Sequence, residues 1–375
     1  MINTLTIFGT RPEAIKLAPL LDEFSSRDEF RSLVCSTGQH LEMLEGPLAV
    51  FDLSVDYDLG LMEESQSLSG LTSRALNGLD EVLKDLQPDL VVVQGDTTTA
   101  FVGALTSFYH GIPVGHVEAG LRSGDKSNPF PEEVNRRLTD SLSDLHFAPT
   151  ENSRDNLLNE GYSERSISVT GNTVIDALQE INGAIKRGEL TPNYPIDVSP
   201  YESGERRMIL VTSHRRESLD GGIAEICRGL KRIVEKFSSV EIVFPVHLNP
   251  KVRKTVDEVL GEADRIHLIE PVDYLTFVGL MGESYLIITD SGGIQEEGPA
   301  LGLPVLVARD KTERPEALEA GTAKLVGTDQ NRIFEETTRL LEDRGYYEEM
   351  AKASNPFGQG DAAKKIADRI IQQFG

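Results

Sequence analysis

Short runs of apolar residues alternate along the chain with longer stretches in which apolar positions recur every three or four residues. The short runs are "LTIF", "SLVCST", "DLVVVQ", "IPVGHV", "LHFAP" and "SISVT", then "RMILVTS", "EIVFPVH", "RIHLIE", "YLIIT", "LPVLVA" and "AKLVG". A strand covered on both faces reads as a near-continuous apolar run, and a helical period between such runs predicts a parallel sheet with helices on either side. Twelve strands predict two sheets. The apolar period lapses over "GELTPNYPIDVSPYESGERR", Gly188 to Arg207, where Pro, Ser, Gly and charge take over, as in a connection. The expected organisation is therefore α/β, with two doubly wound domains at 1–187 and 188–359 and a cleft between them. The closing segment "GDAAKKIADRIIQQF" predicts an amphipathic helix, 360–375, with Asp361 at its N-cap.

Composition narrows the partners. At 375 residues the chain is long enough for two cores. No run of about 18 apolar residues is present to span a membrane, and the start "MINTLTIFGT" has no basic n-region or cleavage site, so a cytoplasmic protein is expected. The net charge of −24 opposes binding to nucleic acid, whose phosphates call for Lys and Arg. Only two cysteines occur, Cys35 and Cys227, far apart and without clustered His. Neither a disulfide framework nor a zinc site is expected. Against this acidic background, basic residues beside glycine turns are candidate anion sites.

Ligands of open α/β sheets bind at the carboxyl ends of the strands, so the loops there carry the chemistry. The first, "GTRPEAIKLAPL", gives Thr10 as a cap, Pro12 and Glu13 in the first turn, and two cations, Arg11 and Lys16. In "VVVQGDTTTAF", Asp96 follows a buried strand; taken alone it reads as an N-cap. "IPVGHVEAGLRSG" ends its strand on His116 and Glu118. "NPFPEEVNRRLTD" places Glu132 and Glu133 in a first helical turn, with Arg136 one turn on, where helix-dipole and ion-pair roles are also open to them. Asp96, Glu118 and Glu132 should converge on one sheet edge with Arg11, and carboxyls beside cations and an enclosed ligand can move protons.

In the second half, "ILVTSHRRESLDGG" presents His214, Arg215, Arg216 and Glu217 after a strand, and "FPVHLNP" presents His247. "DSGGIQEEGPALGLPVLV" opens a helix on Ser291, Gly292 and Gly293, with Glu296 and Glu297 one turn on. Helix N-termini hold anions, although the spacing is neither G-x-G-x-x-G nor a P-loop. "RDKTERPEAL" adds Arg309, Lys311, Thr312, Glu313 and Arg314.

Together "GTRPEAIKLAPL", "QGDTTTAF", "HVEAGLRSG", "PFPEEVNRRLTD", "GNTVIDAL", "TSHRRES" and "TDSGGIQEEGPALGLPVLVARDKTERPEAL" resemble the non-hydrolysing UDP-N-acetylglucosamine 2-epimerases, in family order from residue 7 to about 318. The resemblance implies a glycosyltransferase-B-like fold of two Rossmann-like domains, whose last helix returns to the first, a homodimer, and no NAD or metal cofactor. It implies an isomerase inverting C2 between UDP-N-acetylglucosamine and UDP-N-acetylmannosamine. UDP would be eliminated to leave an enzyme-held 2-acetamidoglucal and then added back, in service of surface polysaccharide or glycan synthesis. By the same resemblance Asp96, Glu118 and Glu132 serve proton transfer, base and acid not distinguished, and His214 contacts the diphosphate. Arg11, Lys16 and Arg314 contact the ligand, while Ser291, Gly292 and Gly293 cradle the diphosphate. Glu297 holds ribose, with Glu296 its structural neighbour; Phe277 packs uracil and Val272 offers it backbone groups.

The chain departs from the family pattern at Glu42 and Ser65, where a Gln and an Arg are expected in segments that bind a second UDP-N-acetylglucosamine as activator. Ser218 replaces an Asn after "HRRE". Other readings of the same fold are a hydrolysing epimerase and an epimerase of a diacetamido-uronic acid sugar. A sugar transferase of the same architecture would bind an acceptor, and a nucleotide-sugar sensor would not need three convergent carboxylates.

Overall fold

The computed structural model describes residues 1–38, 46, 48–61, 67–213 and 221–375. Seven strands, β1 (Ile2–Phe8), β2 (Phe30–Ser36), β3 (Tyr57–Asp58), β4 (Leu90–Gln94), β5 (Val114–Val117), β6 (Leu145–Ala148) and β7 (Ile167–Val169), form one sheet in the order β3-β2-β1-β4-β5-β6-β7. Six more, β8 (Arg207–Thr212), β9 (Val240–Pro245), β10 (Ile266–Ile269), β11 (Ser284–Thr289), β12 (Val305–Val307) and β13 (Ala323–Leu325), form a second in the order β10-β9-β8-β11-β12-β13. Every pairing is parallel. Each of the twelve apolar runs contains a strand. The thirteenth, β3, is a two-residue edge strand, too short to leave a periodic signal.

Alternate side chains of a strand point to opposite faces, and β4 divides accordingly. Leu90 and Val92 pack with Phe8, Leu17, Leu20, Phe24, Ile366 and Ile370, whereas Val91 and Val93 pack with Leu5, Ile7, Leu79 and Leu83. Because both faces are covered, the strand has no polar position until Gln94 at its end. The second sheet buries Ile209, Val211, Phe244 and Ile288 against Ile226, Leu230 and Ile333.

The chain forms two compact units, Met1–Ala177 with Phe357–Gly375, and Leu178–Pro356. The changeover falls within the helix Thr173–Lys186, and "GELTPNYPIDVSPYESGERR" lies wholly in the second unit. In the first unit the helix Ala362–Phe374 packs on the helix Arg11–Ser25. Asp361 stands at its N-cap position yet makes no capping bond, its carboxylate lying 2.8 Å from Lys365. Asp176 caps that helix in its place, accepting from the Ala363 amide at 2.9 Å. Burial pushes the Asp176 carboxyl up to about 6. No helix among the described residues is long and apolar enough to cross a membrane. Cys35 and Cys227 are buried and unbonded to each other, and burial pushes both thiols up to about 12.

Candidate active site

In the first unit the strand order reverses between β1 and β4, and the loops leaving these strands hold the polar groups. Glu13, in the first turn of the helix Arg11–Ser25, is 1% exposed. It accepts from the Gly9 amide (3.1 Å), the Thr10 amide (2.8 Å), the Thr10 hydroxyl (2.7 Å) and, across the reversal, the Thr97 hydroxyl (2.6 Å). Burial nevertheless pushes this carboxyl up to about 6, the four donors pulling the other way. One turn further on, Lys16 pairs with Glu118 at the end of β5, and the Gln94 amide donates to the same carboxylate oxygen. Arg11 is exposed at the first helical position and has no partner among the described residues.

Glu118 is buried and held at φ +69°, a left-handed conformation that costs a non-glycine residue about 1–3 kcal/mol. Its amide and that of Ala119 both donate to the Phe147 carbonyl at 3.1 Å. Asp96 follows Gly95 at the end of β4. It is not the N-cap: Thr97 takes that position, accepting from the Ala100 amide at 3.0 Å. A threonine one residue nearer the helix does the capping and leaves the Asp96 carboxylate for Arg136, which pairs with it.

The helix Glu132–Leu142 is turned inside out. Val134 and Leu138 are 38% and 42% exposed, whereas Glu133, Asn135, Thr139 and Asp140 are buried. Glu133 is structural, accepting from the Ser123 and Gly124 amides (2.9 and 3.3 Å) and lying 3.3 and 3.2 Å from Arg136 and Arg137. Glu132 differs: its Oε2 is buried and meets no hydrogen-bond donor among the described residues, and the buried Nε–H of Arg136 meets no acceptor among them. Asn135 donates to the Asp96 carbonyl at 3.0 Å. Deeper in, Asp140 accepts from His116 Nδ1 at 2.6 Å and lies 2.8 Å from Arg122; Arg122 in turn grips Glu160. His116 donates from Nε2 to the Gly95 carbonyl at 2.8 Å. Burial pushes the Asp140 carboxyl up, but His116 and Arg122 bring it below the usual range, while burial lowers His146.

In the second unit the order reverses between β8 and β11. The Ser213 hydroxyl donates to Asp290 at 3.0 Å across this reversal, and the Thr212 and Thr289 hydroxyls meet at 2.6 Å. Ser291 is the N-cap residue of the helix Gly292–Ala300 without using its side chain as a cap, and its amide donates to the Thr289 hydroxyl at 2.9 Å. The helix starts on two glycines, the second exposed, so its first amides stand uncovered by side chains. Glu297, buried, folds back along the helix: its Oε2 lies 3.6 Å from where a Cβ on Gly293 would stand. Burial and the charges of Glu297 and Glu180 push the Tyr274 hydroxyl well above its ordinary range. Glu296 is buried in a pair with Arg314, whose amide donates to the Thr312 hydroxyl at 3.0 Å. Thr312 donates to Gln295 at 2.5 Å, and Gln295 to the Ser291 carbonyl at 3.0 Å. Arg314 is thereby tied back to the helix start. Val272 lies in the loop after β10 and Phe277 in the first turn of the helix Tyr274–Gly282, both half-buried.

Lys16, Asp96 and Glu118 thus join one network with the helix that carries Glu132, while Ser291, Gly292, Gly293, Glu297 and Arg314 gather around one helix start. His214 lies outside the described residues, as do Glu42, Ser65 and Ser218. Sequence reasoning missed Gln94, Glu13 and Asp140 as members of the network. Gln94 is a polar residue closing an apolar strand and Glu13 completes a T-x-x-E capping box, both readable signals; Asp140, inside a polar helix, offers none. No group of three or more His, Cys, Asp or Glu among the described residues could hold a metal ion.

The family model described as UDP-N-acetylglucosamine 2-epimerase matches residues 22–371. The chain is 51% identical over 374 residues to the UDP-N-acetylglucosamine 2-epimerase of Escherichia coli K12, covering 98% of each chain. It is 49% identical to that of Bacillus subtilis, over 100% of this chain and 96% of the relative. Among solved structures it resembles the Neisseria meningitidis UDP-GlcNAc 2-epimerase bound to UDP-GlcNAc, with a TM-score of 0.88, 47% identity and coverage of 99% and 100%. The two parallel sheets of seven and six strands match the glycosyltransferase-B-like architecture of such structures.

Proposed function

The chain belongs to the UDP-N-acetylglucosamine 2-epimerase family of isomerases, and from that premise we propose that it interconverts UDP-N-acetylglucosamine and UDP-N-acetylmannosamine by removing and restoring the proton at C2. The supporting observation is the carboxylate network of the first unit. Asp96 beside Arg136, Glu118 beside Lys16, and Glu132 with an unengaged buried oxygen offer proton acceptors in contrasting surroundings. Inversion takes a proton from one face of C2 and returns one to the other, so more than one carboxyl group is needed, and this network supplies three.

In this reading one carboxylate takes the C2 proton, the C–H electron pair forms the C1–C2 double bond, and the C1–O bond breaks toward UDP. Re-addition of UDP at C1 with protonation of C2 from the other face completes inversion. In the second unit the uncovered amides of Gly292 and Gly293, with the Ser291 hydroxyl, hold the diphosphate at the positive end of the helix, Arg314 and His214 add to it, and Glu297 accepts from ribose hydroxyls. The Val272 backbone and Phe277 receive uracil. Lys16 and Arg11 assist on the sugar side. The product suits surface polysaccharide or glycan assembly. A homodimer fits the exposed Phe108, Tyr109, Val134 and Leu138, which a second copy would shield from water.

Proton NMR of UDP-N-acetylglucosamine incubated with the protein tests the reading. Growth of the UDP-N-acetylmannosamine anomeric signal to a steady ratio is expected. Continuous release of UDP with free N-acetylmannosamine would favour the hydrolysing alternative, and no reaction with this sugar but turnover of its diacetamido-uronate analogue would favour the other.

A further inference from the structure

Glu132, Arg136 and Asp140 recur at intervals of four along one helix, and Asn135 and Thr139 flank them, so one face of the helix is polar and turned inward while Val134 and Leu138 face water. Burying a polar face instead of an apolar one forgoes hydrophobic stabilisation. What this face gains is attachment to both strand-end loops. Asn135 and Arg136 hold the carbonyl and carboxylate of Asp96. Asp140, fully buried, reaches the same loop through His116, whose other nitrogen donates to the Gly95 carbonyl. The second Asp140 oxygen takes the Gly120 amide at 3.4 Å, two residues beyond Glu118. His116 itself stands two residues before Glu118.

We propose that Asp140, acting through His116, is the positioning residue that sets Asp96 and Glu118 in register with Glu132 for proton transfer. This inference rests on the proton-transfer role proposed for those three carboxylates. Asp140 and His116 do not themselves meet the sugar. Because two loops and one helix share a single buried carboxylate, a small shift at Asp140 displaces all three reacting groups together, and misplacement by about 1 Å lowers a rate on the order of 100-fold.

The test compares Asp140→Asn, His116→Gln and Glu160→Gln in the full-length protein, measuring kcat, KM and thermal midpoint with UDP-N-acetylglucosamine. Asp140→Asn and His116→Gln should each lower kcat at least 30-fold with KM within threefold, and the double variant should be no worse than the poorer single one. Glu160→Gln loses a partner of Arg122 but leaves both loops tethered, so its kcat should match the parent even if its midpoint falls. If Asp140→Asn fails to fold, His116→Gln carries the same prediction. Unchanged kcat in folded Asp140→Asn or His116→Gln, or equal losses in all three variants that track stability, would overturn the inference. A parent protein that never exchanges the C2 proton would instead sink the proposed function on which it rests.

Discussion

The Thr97 hydroxyl donates to the Glu13 carboxylate at 2.6 Å and so ties the loop after β4 to the loop after β1, across the point where the first sheet reverses its order. The second sheet has a counterpart, Ser213 to Asp290 at 3.0 Å, across its own reversal between β8 and β11. The loops leaving two adjacent parallel strands for opposite faces of the sheet frame a crevice there, and in each unit a hydroxyl–carboxylate bond ties the two loops together. Removing the hydroxyl with Thr97→Val leaves Glu13 short of one donor and the helix Thr98–Tyr109 without its N-cap acceptor. Unfolding in urea should reveal a loss of about 1–2 kcal/mol, and because Thr97 adjoins Asp96, kcat should fall with little change in KM. An unchanged midpoint and rate would mean that the bond has no part in either.

Glu13 also titrates in a useful range. Its carboxyl lies at about 6 in the folded protein against an ordinary 4.5. The unfolded chain therefore loses the proton first, so this contribution to stability is full below the unfolded value and is lost as pH rises through the folded one. Relative to Glu13→Gln, the parent should lose about 2 kcal/mol of stability between pH 4 and pH 7. Urea titrations at both pH values measure the difference; a gap that widens in the parent's favour with rising pH would contradict the assignment.

Asp176 poses the same question at the C-terminal helix. Raised from 3.8 to about 6 by burial, it accepts a helix amide that an uncharged amide oxygen could also serve. Asp176→Asn should therefore gain on the parent by about 2.4 kcal/mol between pH 4 and pH 7, followed through the thermal midpoint. A variant that loses ground as pH rises would show that the ionised carboxylate, held by the helix start, is the stabilising form.

Two glycines should respond oppositely to alanine. At Gly120, φ is +83° and a Cβ would stand 2.2 Å from the Ser153 carbonyl oxygen, backbone that cannot step aside. Gly120→Ala should cost at least about 3 kcal/mol and deplete folded protein. At Gly293 the nearest atom is Glu297 Oε2 at an ordinary 3.6 Å, so Gly293→Ala should fold like the parent and yet weaken UDP binding by a factor of about 10 by crowding the proposed cradle. Calorimetry with UDP reads the second effect, and parental affinity in the alanine variant would place the diphosphate elsewhere.

The fold was legible because its central strands are apolar on both faces: β4 and β8 announce themselves in "LVVVQ" and "RMILVT". The edge strand β3 was not, being set by pairing of Cys35 with Tyr57 and Ser36 with Asp58, and not by any local pattern. At the site, strand-end position singled out Glu118 and Asp96, whereas the capping role open to Asp96 went to Thr97, a choice made by one residue of helix phase. Asp361 lost its capping role for a related reason, since a carboxylate 185 positions earlier in the chain, Asp176, reached the same amides. The hub at Asp140 escaped notice because a charged residue in a polar helix ordinarily faces water, and only the tertiary packing turns this helix's polar side inward.

Removal and return of the C2 proton by carboxylates of the first unit is tested most directly by incubating UDP-N-acetylglucosamine with the protein in deuterated water and following C2 by NMR. The parent should place deuterium at C2 in both epimers, and Glu118→Gln and Glu132→Gln should show no exchange although both still bind UDP. Epimerisation with the C2 proton fully retained, or undiminished exchange in both glutamine variants, would contradict it.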